Sequence, residues 1–329
     1  MVFIGFILAA AVTVFTAIKL SEYADVLSEK TAMGGMIVGT VLLAGATSLP
    51  EVTTSFSAAV IGNVDIAVGN MLGSNVFNLF ILAGFDLYFR RKQIYHKASS
   101  NHKYTAYLGL FLMLLVSLAL LLQIDYTILG IGVDALLILI IYIAGMVVIS
   151  KMPAPPSSDD DESSEPVAKK RSMTVKQAII GFIIASVFIL AAGTMLSITG
   201  DQIAVITGLG SSFVGSFLIA ATTSLPEAVS VFAALRIKNA NLAVGAILGS
   251  NVFNMTILAI SDAVYQEGSI LADVSMSNIY TALGGSILGA ITIWAFLRKR
   301  TSSVWVYSIP SILTVVGYFV ITYLIYVGS

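Results

Sequence analysis

Apolar runs of about twenty residues recur along the whole chain and are separated by short polar segments. Runs of this length match the hydrocarbon thickness of a bilayer, so they predict transmembrane helices. Ten spans are predicted, with approximate limits of 2–20, 32–60, 65–89, 104–123, 126–150, 174–199, 207–235, 240–263, 277–297 and 304–327. The first run has no basic segment before it and is interpreted as a helix rather than a signal peptide.

One long polar segment, residues 151–173, divides the spans into two groups of five. It contains prolines, five acidic residues and a basic cluster at 169–171. Such a composition cannot bury an apolar core, so the segment is predicted to be a flexible linker. The predicted organisation is a first five-helix unit over 1–150, the linker over 151–173, and a second five-helix unit over 174–329.

The composition excludes a water-soluble protein and every site that depends on cysteine. The chain is 57% hydrophobic and 11% charged, with a mean hydropathy of +0.95, which is too apolar for a water-soluble protein. It has no cysteine, so disulfides, thiolate catalysis and cysteine metal sites are excluded. Its two histidines, His96 and His102, fall in a basic loop and are interpreted as ordinary loop residues. The expected fold class is an all-α integral membrane protein.

Positive charge lies on one side of the predicted topology. All 17 lysines and arginines lie in or beside the odd-numbered loops. Cytoplasmic loops are enriched in Lys and Arg, so these loops are predicted to be cytoplasmic. With an even number of spans both termini are then outside, and the 151–173 linker is cytoplasmic.

Each half contains one copy of the same segment. Residues 41–86 and 217–262 align without a gap at a constant offset of 176, and 25 of the 46 positions are identical. The identities include polar residues and proline, so shared apolar composition does not explain them. Because five is an odd number, the second copy of a five-span unit enters the membrane with the opposite orientation. The sequence therefore predicts inverted-topology repeats, an arrangement typical of secondary transporters with a substrate site near the bilayer midplane.

The sequence TSLPE occurs in mid-span in both repeats, at 47–51 and 223–227. A carboxylate at membrane depth costs roughly 2.5–3.5 kcal/mol on insertion scales. No Lys or Arg is predicted at the depth of Glu51 or Glu227, so bound cations or protons are the remaining compensating charges. The proline in each motif is expected to bend its helix and to free backbone carbonyls.

Hydroxyl oxygens accompany these carboxylates. Thr47 and Thr223 precede the two glutamates by four residues, so each pair shares a helix face. Carboxylate, carbonyl and hydroxyl oxygens are the ligands that Ca²⁺ and Na⁺ prefer. A transition metal would favour His or Cys. The pattern therefore predicts a site for hard cations.

A second motif, GSNVFN, lies on the following span of each repeat, at 73–78 and 249–254. Ser74 and Asn78 are one helical turn apart, and Ser250 and Asn254 repeat this spacing. The two asparagines are predicted to be neutral oxygen ligands. The glycines at positions 69, 73, 245 and 249 have a spacing of four that is typical of close helix packing.

Other acidic residues are interpreted without a role in this site. Asp65 lies at a predicted loop and is expected to be solvated. Asp86 and Asp262 match each other in the two repeats, fall near span ends, and are expected at the membrane interface. The acidic run of the linker is expected to be solvated as well.

With these motifs the chain resembles the cation/calcium exchanger superfamily and, within it, prokaryotic sodium/calcium exchangers. The resemblance covers essentially the full chain. It implies exchange of Ca²⁺ for Na⁺ by alternating access, without a cofactor, with spans one and six sliding against the rest. The implied partners are the transported ions and the lipid bilayer, with no nucleic acid, and a monomer is compatible with the sequence.

The resemblance also implies four cation sites arranged as a diamond, with ligands assigned by motif position. Glu51 and Glu227 would be the shared central carboxylates, joined by the carbonyls and hydroxyls of Thr47 and Thr223. The carbonyls of Ala44 and Ala220 and the hydroxyls of Ser74 and Ser250 would complete outlying Na⁺ sites. Ser48 and Ser224 would line the site, and Asn78 and Asn254 would close its centre.

This chain departs from the family pattern at one ligand. Several relatives have Asp where this chain has Asn254, so the site here is symmetric and holds two carboxylates. Two carboxylates neutralise one Ca²⁺, whereas three Na⁺ would leave a net positive charge in a medium of low dielectric constant. The missing acid also argues against K⁺ cotransport.

Three other functions are weighed against Na⁺/Ca²⁺ exchange. H⁺/Ca²⁺ antiport is the main alternative, because a desolvated glutamate can exchange protons. Proton-coupled relatives usually have an Asn-rich element around the glutamate, so TSLPE favours Na⁺. A passive channel is disfavoured by the inverted repeat. An enzyme is disfavoured because the sequence contains no nucleophile–base constellation and no phosphate-binding loop.

Overall fold

The chain folds into a bundle that is nearly all helical. The computed structural model describes residues 1–30, 45–152, 173–298 and 303–328. The helices are α1 Val2–Lys30, α2 Leu49–Val60, α3 Val64–Tyr88, α4 Ile94–Lys97, α5 His102–Leu122, α6 Val133–Ser150, α7 Val175–Thr207, α8 Ser211–Phe213, α9 Ala220–Thr223, α10 Leu225–Arg236, α11 Ala240–Val264, α12 Ile270–Asp273, α13 Asn278–Leu297 and α14 Val304–Gly328. A 3₁₀ turn at Arg90–Lys92 precedes α4, and a π-helical segment, Val214–Ile219, joins α8 to α9.

Eight helices in the described part of the chain are long and apolar enough to cross a membrane. They are α1, α3, α5, α6, α7, α11, α13 and α14. A ninth crossing is formed if residues 211–236 count as one span, bent by 41°. Much of the predicted span 32–60, and most of the linker, lie outside the described residues.

Two long helices continue beyond the limits predicted for their spans. The helix predicted over 2–20 continues to Lys30, and the helix predicted over 174–199 continues to Thr207. Polar residues in these extensions form helical contacts, such as the Lys19–Glu22 ion pair at 3.0 Å. An apolar run therefore marks the membrane-embedded part of a helix and not its end.

The purely α-helical prediction needs one correction. Residues Thr127–Ile128 and Ile131–Gly132 form a two-stranded antiparallel hairpin where the fifth span was predicted to begin. Its turn has left-handed backbone angles at Leu129 and Gly130. The Gly132 amide donates a hydrogen bond of 2.6 Å to Asp262, and this distant contact fixes a hairpin that the local apolar pattern does not predict.

Helices α3 and α11 cross at the centre of the bundle and are mostly buried. Glycines on α3 permit a very close approach to the π-helical segment, as predicted for the spacing-of-four face. A Cβ atom added to Gly73 would lie 2.2 Å from the carbonyl oxygen of Ser216. In the second repeat, Gly245 faces the ring of His102, and Gly249 has no described neighbour within 4 Å.

The long helices α1 and α7 pack along each other outside this centre. Buried alanines with Leu20 and Ile189 fill their interface, and Gly181 of α7 accommodates the ring of Tyr23 of α1. Helix α7 also packs against α2 through hydroxyl groups. Ser197 Oγ donates to the Thr54 carbonyl at 2.7 Å, and the Ser57 and Thr194 hydroxyls are 2.9 Å apart.

The equivalent contact of the other repeat, between α1 and α10, is less closely packed. Leu225, Val229 and Phe232 of α10 are 41%, 44% and 37% exposed. Among the described residues, the partner of Ser21 of α1, the counterpart of Ser197, is the Ala17 carbonyl of its own helix. Helix α7 is therefore packed more closely on α2 than α1 is on α10.

Candidate ion-binding site

Both TSLPE motifs break their helix at the serine. Ser48 has φ −90° and ψ 4°, and Ser224 has nearly the same angles, −89° and 3°. A new helix starts at the next residue, with Pro50 or Pro226 at its second position, where the missing amide hydrogen is tolerated. The helix is thus interrupted in both motifs, and in the second the two parts are bent by 41°.

The break places both glutamates in the first turn of a helix. Glu51 lies in the first turn of α2 and Glu227 in that of α10. The amino end of a helix carries a partial positive charge, which favours a carboxylate there. The side chains are nonetheless only 1% and 2% exposed, so water does not screen them.

Each carboxylate is contacted by the TSLPE motif of the other repeat. Ser224 Oγ donates to Glu51 Oε1 at 3.2 Å. The side chains of Thr47 and Ser48 lie beside the Glu227 carboxylate, and the two glutamates are close enough to repel each other. Like charges in contact away from water require a counter-charge.

The asparagines of the GSNVFN motifs form a reciprocal network where α3 crosses α11. Asn78 Nδ2 donates to Asn251 Oδ1, and Asn254 Nδ2 donates to Asn75 Oδ1, each at 3.0 Å. Asn75 Nδ2 donates to the Asn251 carbonyl at 3.0 Å, and Asn251 Nδ2 donates to the Asn75 carbonyl at 3.2 Å. The network uses equivalent atoms of the two repeats at the sequence offset of 176.

Buried oxygens without partners concentrate in the two motifs. Ten buried side-chain oxygens in the described part of the chain lack a hydrogen-bond partner, and six of them belong to the predicted ligands. These six are Ser48 Oγ, Glu51 Oε2, Ser74 Oγ, Asn78 Oδ1, Glu227 Oε2 and Asn254 Oδ1. An unpaired buried oxygen is costly, and a cation would satisfy several at once.

The chemistry of this oxygen set fits a hard cation. Across the described ranges no group of three or more His, Cys, Asp or Glu side chains is arranged to hold a metal ion. Two carboxylates with surrounding amide and hydroxyl oxygens match Ca²⁺ or Na⁺, which take oxygen ligands and accept flexible geometry. Such a set offers a transition metal none of its preferred nitrogen or sulfur ligands.

The other predicted ligands have varied surroundings. Thr223 and Ser250 are buried. The Thr223 hydroxyl is 3.2 Å from Asn70 Oδ1 and 3.3 Å from the Ala220 carbonyl oxygen, which also accepts the Ser224 amide at 3.1 Å. The Thr223 hydroxyl has one hydrogen, so it donates to only one of these two oxygens at a time. Ala44, its predicted counterpart, lies outside the described residues.

Sequence reasoning missed three asparagines in this region. Asn70 is fully buried, accepts from Thr223, and donates to Ser55 Oγ at 3.0 Å. Its counterpart in the second repeat is Ala246, so this contact breaks the symmetry. Asn70 lies one turn before Ser74 on the same helix face, a signal that the sequence contained. Asn75 and Asn251 belong to the motif itself but not to the predicted ligand face.

The acidic residues predicted at the interface or in solvent make buried contacts instead. Asp86 is fully buried and accepts from the Tyr307 and Ser311 hydroxyls, each at 2.6 Å. Asp262 is also fully buried and binds the amides of Gly132 and Ile270. These residues anchor loops beside the bundle, and their partners are too distant in sequence for the local pattern to indicate them.

Asp65 and the histidines also differ from expectation. Asp65 accepts from Ser212, Ser275 and Asn278 at 2.9–3.0 Å, so it ties α3 to later helices. His102 begins α5 and contacts Gly245, and the ring of His96 lies 5.1 Å from that of Tyr307. The two histidines thus pack against helices, and neither joins the carboxylates.

A bundle of helices long and apolar enough to cross a membrane, with two buried carboxylates and unpaired oxygens at its centre, is typical of an ion transporter. A sequence model described as "Sodium/calcium exchanger protein" matches residues 1–151 and 177–327. The chain belongs to this family, and it is an antiporter of the cation/calcium exchanger superfamily, exchanging Ca²⁺ for Na⁺ or H⁺.

Two curated relatives are similar over most of their length. Inner membrane protein YrbG of Escherichia coli strain K12 is 26% identical over 290 residues, which are 88% of this chain and 87% of the relative. The putative antiporter CaxA of Alkalimonas amylolytica is 27% identical over 254 residues, 77% of each chain.

Solved structures share the fold at low sequence identity. Native YfkE has a TM-score of 0.64 at 16% identity and covers 99% of this chain and 96% of its own. The H⁺/Ca²⁺ exchanger CAX has a TM-score of 0.63 at 14% identity, with 98% and 87% covered. The sodium-calcium exchanger NCX_Mj has a TM-score of 0.58 at 19% identity, with 97% and 98% covered. At these identities the likeness establishes the fold alone.

Proposed function

We propose that the protein is a Ca²⁺ antiporter driven by Na⁺ and working by alternating access. The observation that carries this proposal is the pair of buried glutamates, Glu51 and Glu227, whose Oε2 atoms lack hydrogen-bond partners, as do four other oxygens of the predicted ligands. Two carboxylates balance one Ca²⁺, so the occupied centre is neutral and can change its access across the bilayer at low electrostatic cost. No described His or Lys competes for these carboxylates.

Proton coupling is the second candidate, and the same two carboxylates favour it. Two protons neutralise the pair without leaving the net charge that three Na⁺ would leave. Sodium has the support of the hydroxyl groups of Thr47, Thr223 and Ser74, since Na⁺ needs several oxygen ligands and a proton needs only one. The identity of the coupling ion therefore decides whether the chain is a Na⁺/Ca²⁺ exchanger or an H⁺/Ca²⁺ exchanger.

The coupling experiment is Ca²⁺ uptake by proteoliposomes that contain the purified chain. Vesicles loaded with Na⁺ and diluted into Na⁺-free buffer are expected to accumulate Ca²⁺, and vesicles with only a pH gradient are not. Uptake driven by the pH gradient alone would assign the chain to H⁺/Ca²⁺ exchange. Uptake without any counter-ion gradient would indicate a channel.

We further infer ten spans in two inverted repeats, with both termini outside and the 151–173 linker in the cytoplasm. The reciprocal asparagine bonds at a constant offset of 176 support the repeat. The basic residues, all beside odd-numbered loops, support the orientation. The inverted plan gives each repeat the same role at opposite membrane faces.

Cysteine labelling tests this orientation directly, because the chain has no cysteine of its own. Ile61→Cys, in the second loop, is expected to react with a membrane-impermeant maleimide on intact cells. Ser100→Cys, in the third loop, is expected to react only after the membrane is opened. Both residues are exposed, so the reverse labelling pattern would invert the topology.

Asn70 is expected to tune Na⁺ binding through Thr223. The Thr223 hydroxyl can donate to Asn70 Oδ1 or to the Ala220 carbonyl, and the first choice releases the carbonyl for Na⁺. Losing one neutral hydrogen bond costs about 1 kcal/mol, or roughly fivefold in affinity. Asn70→Ala should therefore raise the Na⁺ concentration for half-maximal exchange by about that factor.

The matched control for Asn70 is Ser55→Ala. The Asn70 amide nitrogen donates to Ser55 Oγ and, at 3.5 Å, to the Glu51 carbonyl; this variant removes the first acceptor and leaves the Thr223 contact in place. Its Na⁺ dependence should stay close to that of the wild type. Equal shifts in the two variants would mean that Asn70 acts by packing and not through Thr223.

A further inference from the structure

We propose that Asn75 and Asn251 are positioning residues of the ion site, which fix the amides of Asn254 and Asn78 with their carbonyl oxygens toward the cation. The proposal rests on the cation-transport function inferred above and adds two residues that are not among its ligands. It follows from the direction of four hydrogen bonds.

The orientation is set first at the two positioning residues. Asn75 Nδ2 donates to the Asn251 backbone carbonyl at 3.0 Å, and Asn251 Nδ2 donates to the Asn75 carbonyl at 3.2 Å. A backbone carbonyl can only accept, so neither amide can be turned end for end without facing oxygen to oxygen. Each Oδ1 must therefore point away from the partner backbone.

The fixed amides of Asn75 and Asn251 in turn orient the amides of Asn254 and Asn78. Asn251 Oδ1 accepts from Asn78 Nδ2, and Asn75 Oδ1 accepts from Asn254 Nδ2, both at 3.0 Å. An amide oxygen also cannot donate, so Asn78 and Asn254 must direct their nitrogens to these acceptors. Their own oxygens are left buried and unpaired. Without this relay either amide could present its NH₂ group, which repels a cation.

The relay crosses between the repeats. Asn75 of the first repeat orients Asn254 of the second, and Asn251 orients Asn78. All four side chains are at most 7% exposed, so water does not offer an alternative partner. Asn75 and Asn251 also line a cavity of about 30 Å³ between α3, α5, α11 and α13, which leaves room for a leucine of similar shape.

The test is a set of double-mutant cycles read by Ca²⁺ binding. Purified protein is titrated with Ca²⁺, and the apparent Kd is measured for Asn75→Leu alone and in the Asn254→Ala and Asn78→Ala backgrounds. Asn75→Leu is expected to weaken Ca²⁺ binding about tenfold alone, since an unsatisfied, free amide replaces a fixed one. The loss should disappear in the Asn254→Ala background and persist in the Asn78→Ala background.

Asn251→Leu is the equivalent variant in the other repeat. It should leave the Kd for Ca²⁺ unchanged in the Asn78→Ala background and raise it in the Asn254→Ala background. Equal losses in both backgrounds would overturn the proposal and assign the pair to helix packing alone. If a leucine variant fails to fold, Asn75→Ala or Asn251→Ala replaces it in the same cycles. Alanine removes the donor and the acceptor together and adds no bulk, so the proposal predicts a loss of Ca²⁺ affinity that depends on the background in the same way, whereas a purely structural clamp predicts equal losses in both backgrounds.

Failure of the function and failure of the relay give different results. A wild-type protein that neither binds nor transports Ca²⁺ would refute the proposed function. A wild type that binds Ca²⁺, with unchanged Kd in both leucine variants, would refute the relay alone.

Discussion

Replacing Glu51 or Glu227 by Gln is expected to reduce Ca²⁺ uptake by proteoliposomes to the level of protein-free vesicles. Each substitution removes one of two buried charges and leaves the other carboxylate to balance Ca²⁺ alone. Two unit charges 4 Å apart interact by about 4 kcal/mol at an effective dielectric constant of 20, and Ca²⁺ carries twice that charge. The loss of affinity is therefore at least about three orders of magnitude.

Glu22→Gln is the matched control, because Glu22 forms a partly exposed pair with Lys19 on α1. Its uptake should equal that of the wild type. Gln has the size and shape of Glu, so correctly folded variants should elute from a sizing column like the wild type. Retention of Ca²⁺ uptake by either central variant would remove these glutamates from the ion pathway.

Gly73→Ala is expected to destabilise the protein by about 3 kcal/mol or more. The added methyl would lie 2.2 Å from the Ser216 carbonyl oxygen and 2.5 Å from its Cα atom. These are backbone atoms of a packed segment, so no side-chain rotation relieves the overlap, and overpacking usually costs 1–3 kcal/mol even where relaxation is possible. Thermal unfolding in detergent should shift down by about 6 °C or more.

Gly249→Ala is the control given by the repeat itself. Gly249 occupies the equivalent position on α11, is exposed, and has nothing described within 4 Å of an added Cβ. Its unfolding temperature should stay within about 2 °C of the wild type, because alanine also favours a helix over glycine. Similar losses in both variants would show that the glycines act through the helix backbone and not through close packing.

Features set by short-range chemistry could be predicted from the sequence. The helix breaks at Ser48 and Ser224 follow from the prolines two residues later, and both occur. The two TSLPE motifs meet, since Ser224 contacts Glu51, and the two GSNVFN motifs meet as well, as expected of buried polar groups that cannot face lipid. The glycine face on α3 follows from residue size.

Features set by distant partners could not be predicted. Asp86 looks interfacial in the hydropathy pattern, but Tyr307 and Ser311 cover it from a helix more than 200 residues later. The 127–132 hairpin depends on Asp262, and its apolar residues read as helix. Asn75 and Asn251 were visible as a repeated motif, but only the crossing of α3 and α11 makes them partners.

The closer packing of α7 on α2 than of α1 on α10 has a thermodynamic consequence. Hydroxyl hydrogen bonds hold α7 on α2, whereas the mirror closure of α1 on α10 would bury Leu225, Val229 and Phe232. Lipid tails are as apolar as these three side chains, so packing them against α1 gains little free energy, whereas lipid offers no partner for the hydroxyl groups. If the exchange proposed above alternates between these two closures, the state closed by hydroxyl bonds is expected to be the more populated one in a bilayer.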